Sequence, residues 1–540
     1  MTKTADLFIK ALENEGVEVI FGLPGEENID FLEALRDSNI RFIVTRHEQS
    51  AGFMAATYGQ LTGKPGVVLA TLGPGATNLI TAAAYAQLGG KPMLMITGQK
   101  PIQENEQISF QIVDVVGMMI PVTKFSKRIS FGSQVPAIVR EAFRIAVRER
   151  PGAVHIELPE DVARKKVDTE PFQVIPDHFP QASESVIKEA ITMIRSAKKP
   201  LVLIGASANR KDLYDLLSDF IEHNSFYFFN TQLGKGVINE QSSYYLGTAA
   251  LSKDDFIHDA VKQADLIINI GHDVAEKPPF LMKEDAQRVI HISYQPAVID
   301  EVYYPHLSVI GDIAAAINQI NSKLENTVSD KESRSYLEEQ RHISQTLNRY
   351  NRDDRFPILP QRLCSIIREE LAPDDIVTLD NGMYKLWFAR LYKTYEPNTL
   401  LLDNSLASMG AGLPSAIAAK LIYPKQRVIS VNGDGGFLMN SQELETAKRL
   451  GLDLTVIVVR DDAYGMVRWK QESMGLDDFG LSYDNPDFVK YAESYGAQGY
   501  RPNTVTAFQK TLQQSLHKPG IHLIDLAIDY SFNQRLAEDV

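Results

Sequence analysis

Two aspartates 27 residues apart, Asp434 and Asp461, carry the clearest chemistry in the sequence. They sit in RVISVNGDGGFLMNSQELETAKRLGLDLTVIVVRDDAYG, which reads as strand, Gly-Asp-Gly-Gly turn, helix, strand and Arg-Asp-Asp. A βαβ unit makes its two strands parallel and brings both tips to one sheet edge. That carboxyl edge is where open α/β sheets bind ligands. Gly433, Gly435 and Gly436 let the backbone come close to an anion, and the helix start behind them offers unpaired N–H groups. Two carboxylates facing a phosphate need a hard cation between them, and Mg²⁺ with its oxygen ligands suits that task. The carbonyl of Ala463 completes the expected metal set of Asp434, Asp461 and Ala463. The alternative for the same residues is an Asp-Gly turn beside a solvated acidic loop.

A third carboxylate lies far upstream. In RFIVTRHEQSAGFMAATYG, Glu48 follows a strand and opens an Ala/Gly-rich helix, a place that the helix dipole favours for an acid.

The elements that must position these groups repeat along the chain. Short, nearly all-apolar runs alternate with amphipathic stretches, as expected of parallel strands covered on both faces. Strands are predicted at 17–22, 41–46, 66–71, 92–97 and 153–158; then at 201–205, 226–230, 266–271 and 288–293; then at 375–379, 399–403, 427–431, 454–459 and 521–527. A Pro-rich stretch at about 166–184 and a polar one at 325–358 separate them. The fold class is α/β, with three successive doubly wound parallel-sheet domains at 1–165, 185–325 and 358–540.

Bulk properties exclude several classes. The chain has 540 residues, 44% of them apolar, and a net charge of −14. The average field repels nucleic acid and anionic membranes. A single cysteine, Cys364 in QRLCSIIREE, excludes an internal disulfide framework and reads as a packing residue. No apolar run reaches the ~18 residues that cross a bilayer. TADLFIKALENEG at the N-terminus places Ala5, Phe8, Ile9 and Leu12 on one helical face, unlike a signal peptide. A soluble cytoplasmic protein is the expectation.

GDG followed by a helix, a strand and Asn or Asp resembles the thiamine-diphosphate motif. The Glu48 segment resembles that family's glutamate segment, which implies a catalytic role: a carboxyl group on the cofactor's pyrimidine ring that activates it. GLPGEENIDFLEAL and LGPGATNLIT resemble loops of the pyrimidine domain, with Gly25 and Asn78 lining the pocket. DNGMYKLW resembles the loop where Gly382, Met383 and Tyr384 approach the diphosphate. DNSLASMGAGLPSAIAAK places Met409 where the family has a bulky apolar prop under the bent cofactor. The resemblance runs through pyrimidine-binding, central and diphosphate-binding domains in family order. It implies a homodimer at minimum, assembled into a homotetramer, because the glutamate and the diphosphate site come from different subunits.

Within the family, the segment 109–129 (SFQIVDVVGMMIPVTKFSKRI) resembles acetolactate synthases, with Phe110, Gln111 and Lys124 near the substrate channel. DDAYGMVRWKQ matches the helix entering the active site: Met466 against the cofactor, Val467 and Lys470 toward substrate. Lys470 departs from the Trp or Gln of the family's branches, which leaves the acceptor acid open. Simple pyruvate decarboxylases carry an adjacent His-His pair, and none of the 11 histidines here are adjacent. Asp461 in place of the common Asn, the loop IGHDVAEKPPF (270–280) and the ending AIDYSFNQRLAEDV resemble the catabolic, flavin-independent branch, so FAD is not expected. The implied activity is decarboxylation of pyruvate and joining to a second pyruvate, giving 2-acetolactate and CO₂. The alternatives are a 2-oxo-acid decarboxylase releasing an aldehyde, a flavin-dependent pyruvate oxidase and a non-catalytic regulatory binder of the cofactor.

Overall fold

Parallel pairing of short apolar strands dominates the chain, which is described here from a computed structural model over residues 1–102, 110–251, 255–273, 275–276, 287–299, 303–324 and 336–533. Three six-stranded sheets form, and every neighbouring pair within them is parallel. Runs such as Gly66–Ala70, Pro200–Ile204 and Leu266–Ile270 are buried at every position, which is what helices on both faces of a sheet require. No helix among the described residues is long and apolar enough to cross a membrane.

The first sheet runs in the order Arg41–Val44, Val19–Gly22, Gly66–Ala70, Met93–Gln99, Ala153–Pro159, Phe125–Arg128. The last runs Leu400–Leu401, Ile376–Leu379, Val428–Gly433, Leu454–Arg460, Ile521–Ala527, Gln498–Tyr500. Numbered within each sheet, both read 2-1-3-4-6-5, so the two share one topology. The central sheet runs Tyr245–Ala249, Phe228–Thr231, Pro200–Ile204, Leu266–Ile270, Arg288–Ser293, Leu307–Ile310, the 3-2-1-4-5-6 order of a dinucleotide-type fold.

All the predicted strands are present, with ends displaced by at most two residues. Four strands of the sheets escaped the sequence reading: Phe125–Arg128, Tyr245–Ala249, Leu307–Ile310 and Gln498–Tyr500. All four lie at sheet edges, and in two of them the apolar run that marks a buried strand is broken by an exposed residue, Lys127 or Ser308. Ala5, Phe8, Ile9 and Leu12 are buried on the Thr4–Asn14 helix, and Cys364 packs in the core beside Ile367 and Leu363.

Contacts divide the chain into two units. One holds Met1–His178, Ser405–Lys425 and Leu438–Leu452, and so contains the first sheet. The other holds Phe179–Asn404, Gln426–Phe437 and Asp453–Val540, with the central and last sheets.

Candidate active site

Asp434 stands where the Val428–Gly433 strand ends and its helix begins, and it is 1% exposed. A carboxylate so buried must have its lone pairs answered. Four donors answer them. Oδ1 accepts from Gly435 N at 3.0 Å and Tyr483 Oη at 3.0 Å; Oδ2 accepts from Asp462 N at 2.8 Å and Asn485 Nδ2 at 2.7 Å. Asp462 adopts φ +53°, a left-handed conformation that Asp tolerates better than most residues, and this turns its N–H toward Asp434.

Tyr483 and Asn485 were not legible as site residues. They arrive because Ala463 and Ser482 pair as an isolated antiparallel bridge, laying the 481–485 segment along the 461–464 turn. The Tyr483 hydroxyl also lies 3.1 Å from the Ala463 carbonyl. Arg460, the residue ahead of Asp461, turns to the other side and pairs with Asp525 at 2.9 Å and Asp462 at 3.0 Å.

This arrangement tests the metal set. Asp434 Oδ1 and the Ala463 oxygen converge on one point, the Tyr483 hydroxyl, so both can face one small cation. Asp461 is pushed up to about 7 by burial, reinforced by the charge of Asp434, as expected of two neighbouring carboxylates without a counter-charge between them. Among the described residues no three His, Cys, Asp or Glu side chains form a metal cluster. Two carboxylates and a carbonyl are a partial oxygen shell, the kind that Mg²⁺ completes with phosphate oxygens and water. The residues fit the group.

The glycines beside Asp434 are held by close approach. A Cβ on Gly436 would fall 2.3 Å from Asp380 Oδ2, and one on Gly435 would fall 2.6 Å from the Tyr483 hydroxyl. Gly382 precedes the Met383–Leu391 helix, whose start also faces this strand edge. The Tyr384 hydroxyl accepts the Gly433 N–H at 3.0 Å, so Tyr384 props the turn from behind. The Met383 side chain lies in the core at 2% exposed and contributes only backbone to the helix start.

In the other unit, Glu48 begins the Glu48–Thr62 helix and is 8% exposed. His47 caps that helix, its Nδ1 accepting the Gln49 N–H at 3.0 Å. Asn78 Nδ2 donates to Glu48 Oε2 at 2.9 Å, and a Cβ on Gly75 would lie 3.4 Å from Oε1. The carboxyl group is thus fixed by one partner, with a glycine turn against its second oxygen. Gly25 packs on Thr71, whose hydroxyl donates to Glu27 at 2.6 Å; Lys100 reaches the other Glu27 oxygen at 2.7 Å. Asn440, also missed from sequence, donates to Gln49 Oε1 and to the Gly410 carbonyl while accepting from Ser50. It therefore ties the turn that follows Met409 to the helix that Glu48 opens.

Comparison with known proteins accords with this geometry. Residues 2–118 match the model "Thiamine pyrophosphate enzyme, N-terminal TPP binding domain", 187–320 the central domain and 380–526 the C-terminal TPP binding domain. The acetolactate synthase of Bacillus subtilis (strain 168) is 34% identical, over 99% of this chain and 95% of its own length. The catabolic acetolactate synthase of Raoultella terrigena is 31% identical, over 98% and 96%. The chain belongs to the acetolactate synthase family of thiamine pyrophosphate enzymes. The large subunit of isozyme 2 of Escherichia coli (strain K12) is 29% identical, over 97% and 95%.

Set in that family, the expected substrate residues divide. Phe110 is 62% exposed, and Gln111 adopts φ +59° with its carbonyl against the Gly73 turn. On the Gly465–Ser473 helix, Met466 packs against the core, Val467 is 49% exposed and Lys470 is exposed. Lys124 has a different placement from the expected one. Its ammonium donates to the carbonyls of Arg148 at 2.5 Å and Arg150 at 2.6 Å, beyond the Val135–Val147 helix, and burial lowers it to about 8. Here it serves as a clamp on backbone carbonyls, and nothing in this placement directs it to a 2-oxo acid. The loop 270–280 is described at 270–273, 275 and 276 only, and residues 274, 277–280 and 534–540 lie outside the described residues.

Proposed function

We propose that this thiamine pyrophosphate enzyme is a Mg²⁺-dependent, flavin-independent acetolactate synthase that joins two pyruvates into 2-acetolactate with loss of CO₂. The observation that carries the reading is near-full-length similarity to proteins named acetolactate synthase, one of them catabolic. Asp434, Asp461 and the Ala463 carbonyl would hold the cation, and the Gly-Asp-Gly-Gly turn would take the diphosphate. Bound thiamine diphosphate supplies the carbanion chemistry. Glu48, oriented by Asn78, holds or releases the proton at the pyrimidine ring. Met409 supports the cofactor from below, with Gly25 and Asn78 lining its pocket. Phe110, Gln111, Val467 and Lys470 are the side chains left to shape substrate access.

The flavin-free reading rests on the resemblance of Asp461, the loop 270–280 and the C-terminal ending to the catabolic branch, and on the similarity to a catabolic acetolactate synthase. A cytoplasmic homodimer or homotetramer follows from the family's division of the site between subunits. The test is turnover of pyruvate by purified protein supplied with thiamine diphosphate and Mg²⁺ alone. Formation of acetolactate by a colourless protein is expected; a requirement for added FAD would refute the flavin assignment, and no turnover would favour a non-catalytic binder.

A further inference from the structure

Asp525 lies inside the Ile521–Ala527 strand and is 0% exposed, yet the proposed reaction makes no use of it. A carboxylate buried this deeply stays charged only when it is paired. Two arginines pair with it, one on each oxygen. Arg460 Nε donates to Oδ1 at 2.9 Å, and Arg501 Nε donates to Oδ2 at 2.6 Å. Strand register explains the meeting. Val458 stands opposite Asp525, so Arg460, two residues on, emerges on the same face of the sheet. Arg501 directly follows Gln498–Tyr500, the edge strand that pairs with the other side of Ile521–Ala527.

Neither arginine stops at Asp525. The planar guanidinium fork can serve two carboxylates at once. Arg460 Nη1 reaches Asp462 Oδ2 at 3.0 Å, and Arg501 Nη2 reaches Asp487 Oδ1 at 2.8 Å. Both contacts fall on the segments that wrap Asp434. Asp462 gives its N–H to Asp434 Oδ2, and its own Oδ1 accepts from Asn485 Nδ2 at 2.8 Å. Asp487 stands two residues beyond Asn485 and caps the next helix through the Val489 N–H. Of the four donors to Asp434, three therefore come from segments tied by an arginine to Asp525: the Tyr483 hydroxyl, the Asp462 N–H and the Asn485 amide. The left-handed turn at Asp462, φ +53°, is a conformation that persists where its surroundings hold it.

We propose that Asp525, acting through Arg460 and Arg501, is a positioning residue that fixes the donors around Asp434 and so sets the affinity for the divalent cation. This rests on the reading of Asp434 and Asp461 as cation ligands, and adds an electrostatic clamp behind them.

The sign of the effect separates positioning from simple field. Replacing either arginine removes a positive charge near the site, and by Coulomb's law alone that change favours a divalent cation. Loss of the clamp acts in the opposite direction. The test is Mn²⁺ titration by electron paramagnetic resonance on full-length protein with saturating thiamine diphosphate, for wild type, Arg460→Met and Arg501→Met. Each single variant leaves Asp525 one arginine, and thermal unfolding without metal identifies the temperature at which each is folded. Both variants should bind Mn²⁺ about tenfold more weakly, as expected for groups behind a ligand. In an Asp462→Asn background, which keeps Oδ1 for Asn485 and tolerates the left-handed turn, Arg460→Met should cause no further loss. Unchanged or tighter Mn²⁺ binding by either folded single variant would overturn the clamp, even with a lowered unfolding midpoint, and so would a full additional loss in the Asp462→Asn background. Absence of Mn²⁺ binding by the wild type would instead overturn the cation reading itself, and the clamp with it.

Discussion

Replacing Glu48 by Gln separates chemistry from folding at one site. The amide is isosteric, and its oxygen can still accept the Asn78 Nδ2 that now lies 2.9 Å from Glu48 Oε2. What is lost is the charged part of that hydrogen bond. Bonds to charged groups contribute about 1.5–3 kcal/mol and neutral ones about 0.5–1.5, so the change costs roughly 1 kcal/mol. Removing a carboxylate that is only 8% exposed offsets part of that cost. Thermal unfolding should therefore shift by no more than a few degrees. Turnover should respond on another scale. A positioned acid–base group contributes about 10²–10⁴ in rate, or roughly 3–5 kcal/mol of barrier. The assay is acetolactate formation at saturating thiamine diphosphate and Mg²⁺, paired with thermal unfolding of the same sample. Wild-type turnover in Glu48→Gln would refute the role given to Glu48, and so would a lost activity fully accounted for by unfolding.

Three other substitutions test the surroundings. Asn485→Ala removes the 2.7 Å donor to Asp434 Oδ2 and should lower divalent-metal affinity about 10–100-fold, as loss of a ligand's hydrogen-bond partner does; Mn²⁺ titration by electron paramagnetic resonance measures it, and unchanged affinity contradicts it. Gly436→Ala places a methyl 2.3 Å from Asp380 Oδ2, whose residue is 1% exposed, and should destabilise by about 1–3 kcal/mol in denaturant titration; wild-type stability would show that the turn relaxes freely. Glu276 is pushed up to about 7 by burial. Its folded pKa is above the unfolded value near 4.5, so wild-type stability is full below that value and falls as pH rises toward 7, by up to roughly 3 kcal/mol. Glu276→Gln should lack that fall, gaining stability relative to wild type between pH 5 and pH 8; parallel pH profiles of the two proteins would refute it.

The parts of the site that the sequence reveals are those fixed by local periodicity. Asp434 and Asp461 were legible because each ends an apolar run, and one βαβ unit sends both tips to the same edge. Glu48 was legible because it sits between a strand and a helix of unusually small residues. Tyr483, Asn485 and Asn440 were not. The first two lie in LSYDNPDF, a turn with neither helical nor strand period, and reach Asp434 only through tertiary pairing of Ser482 with Ala463. Asn440 ends the helix that Asp434 begins, and its partners Gln49 and Ser50 stand some 390 residues away in sequence. The task of Lys124 was hidden for the same reason, since its carbonyl partners follow the end of a different element. In the fold, every interior strand announced itself and four of the six edge strands did not; in Phe125–Arg128 and Leu307–Ile310 exposed polar residues interrupt the pattern.

The assignment is tested most directly by following labelled pyruvate by nuclear magnetic resonance in the presence of the full-length protein, thiamine diphosphate and Mg²⁺. The account predicts that 2-acetolactate and CO₂ accumulate together, one of each for every two pyruvates consumed. Release of acetaldehyde with one CO₂ per pyruvate would contradict it and identify a simple decarboxylase.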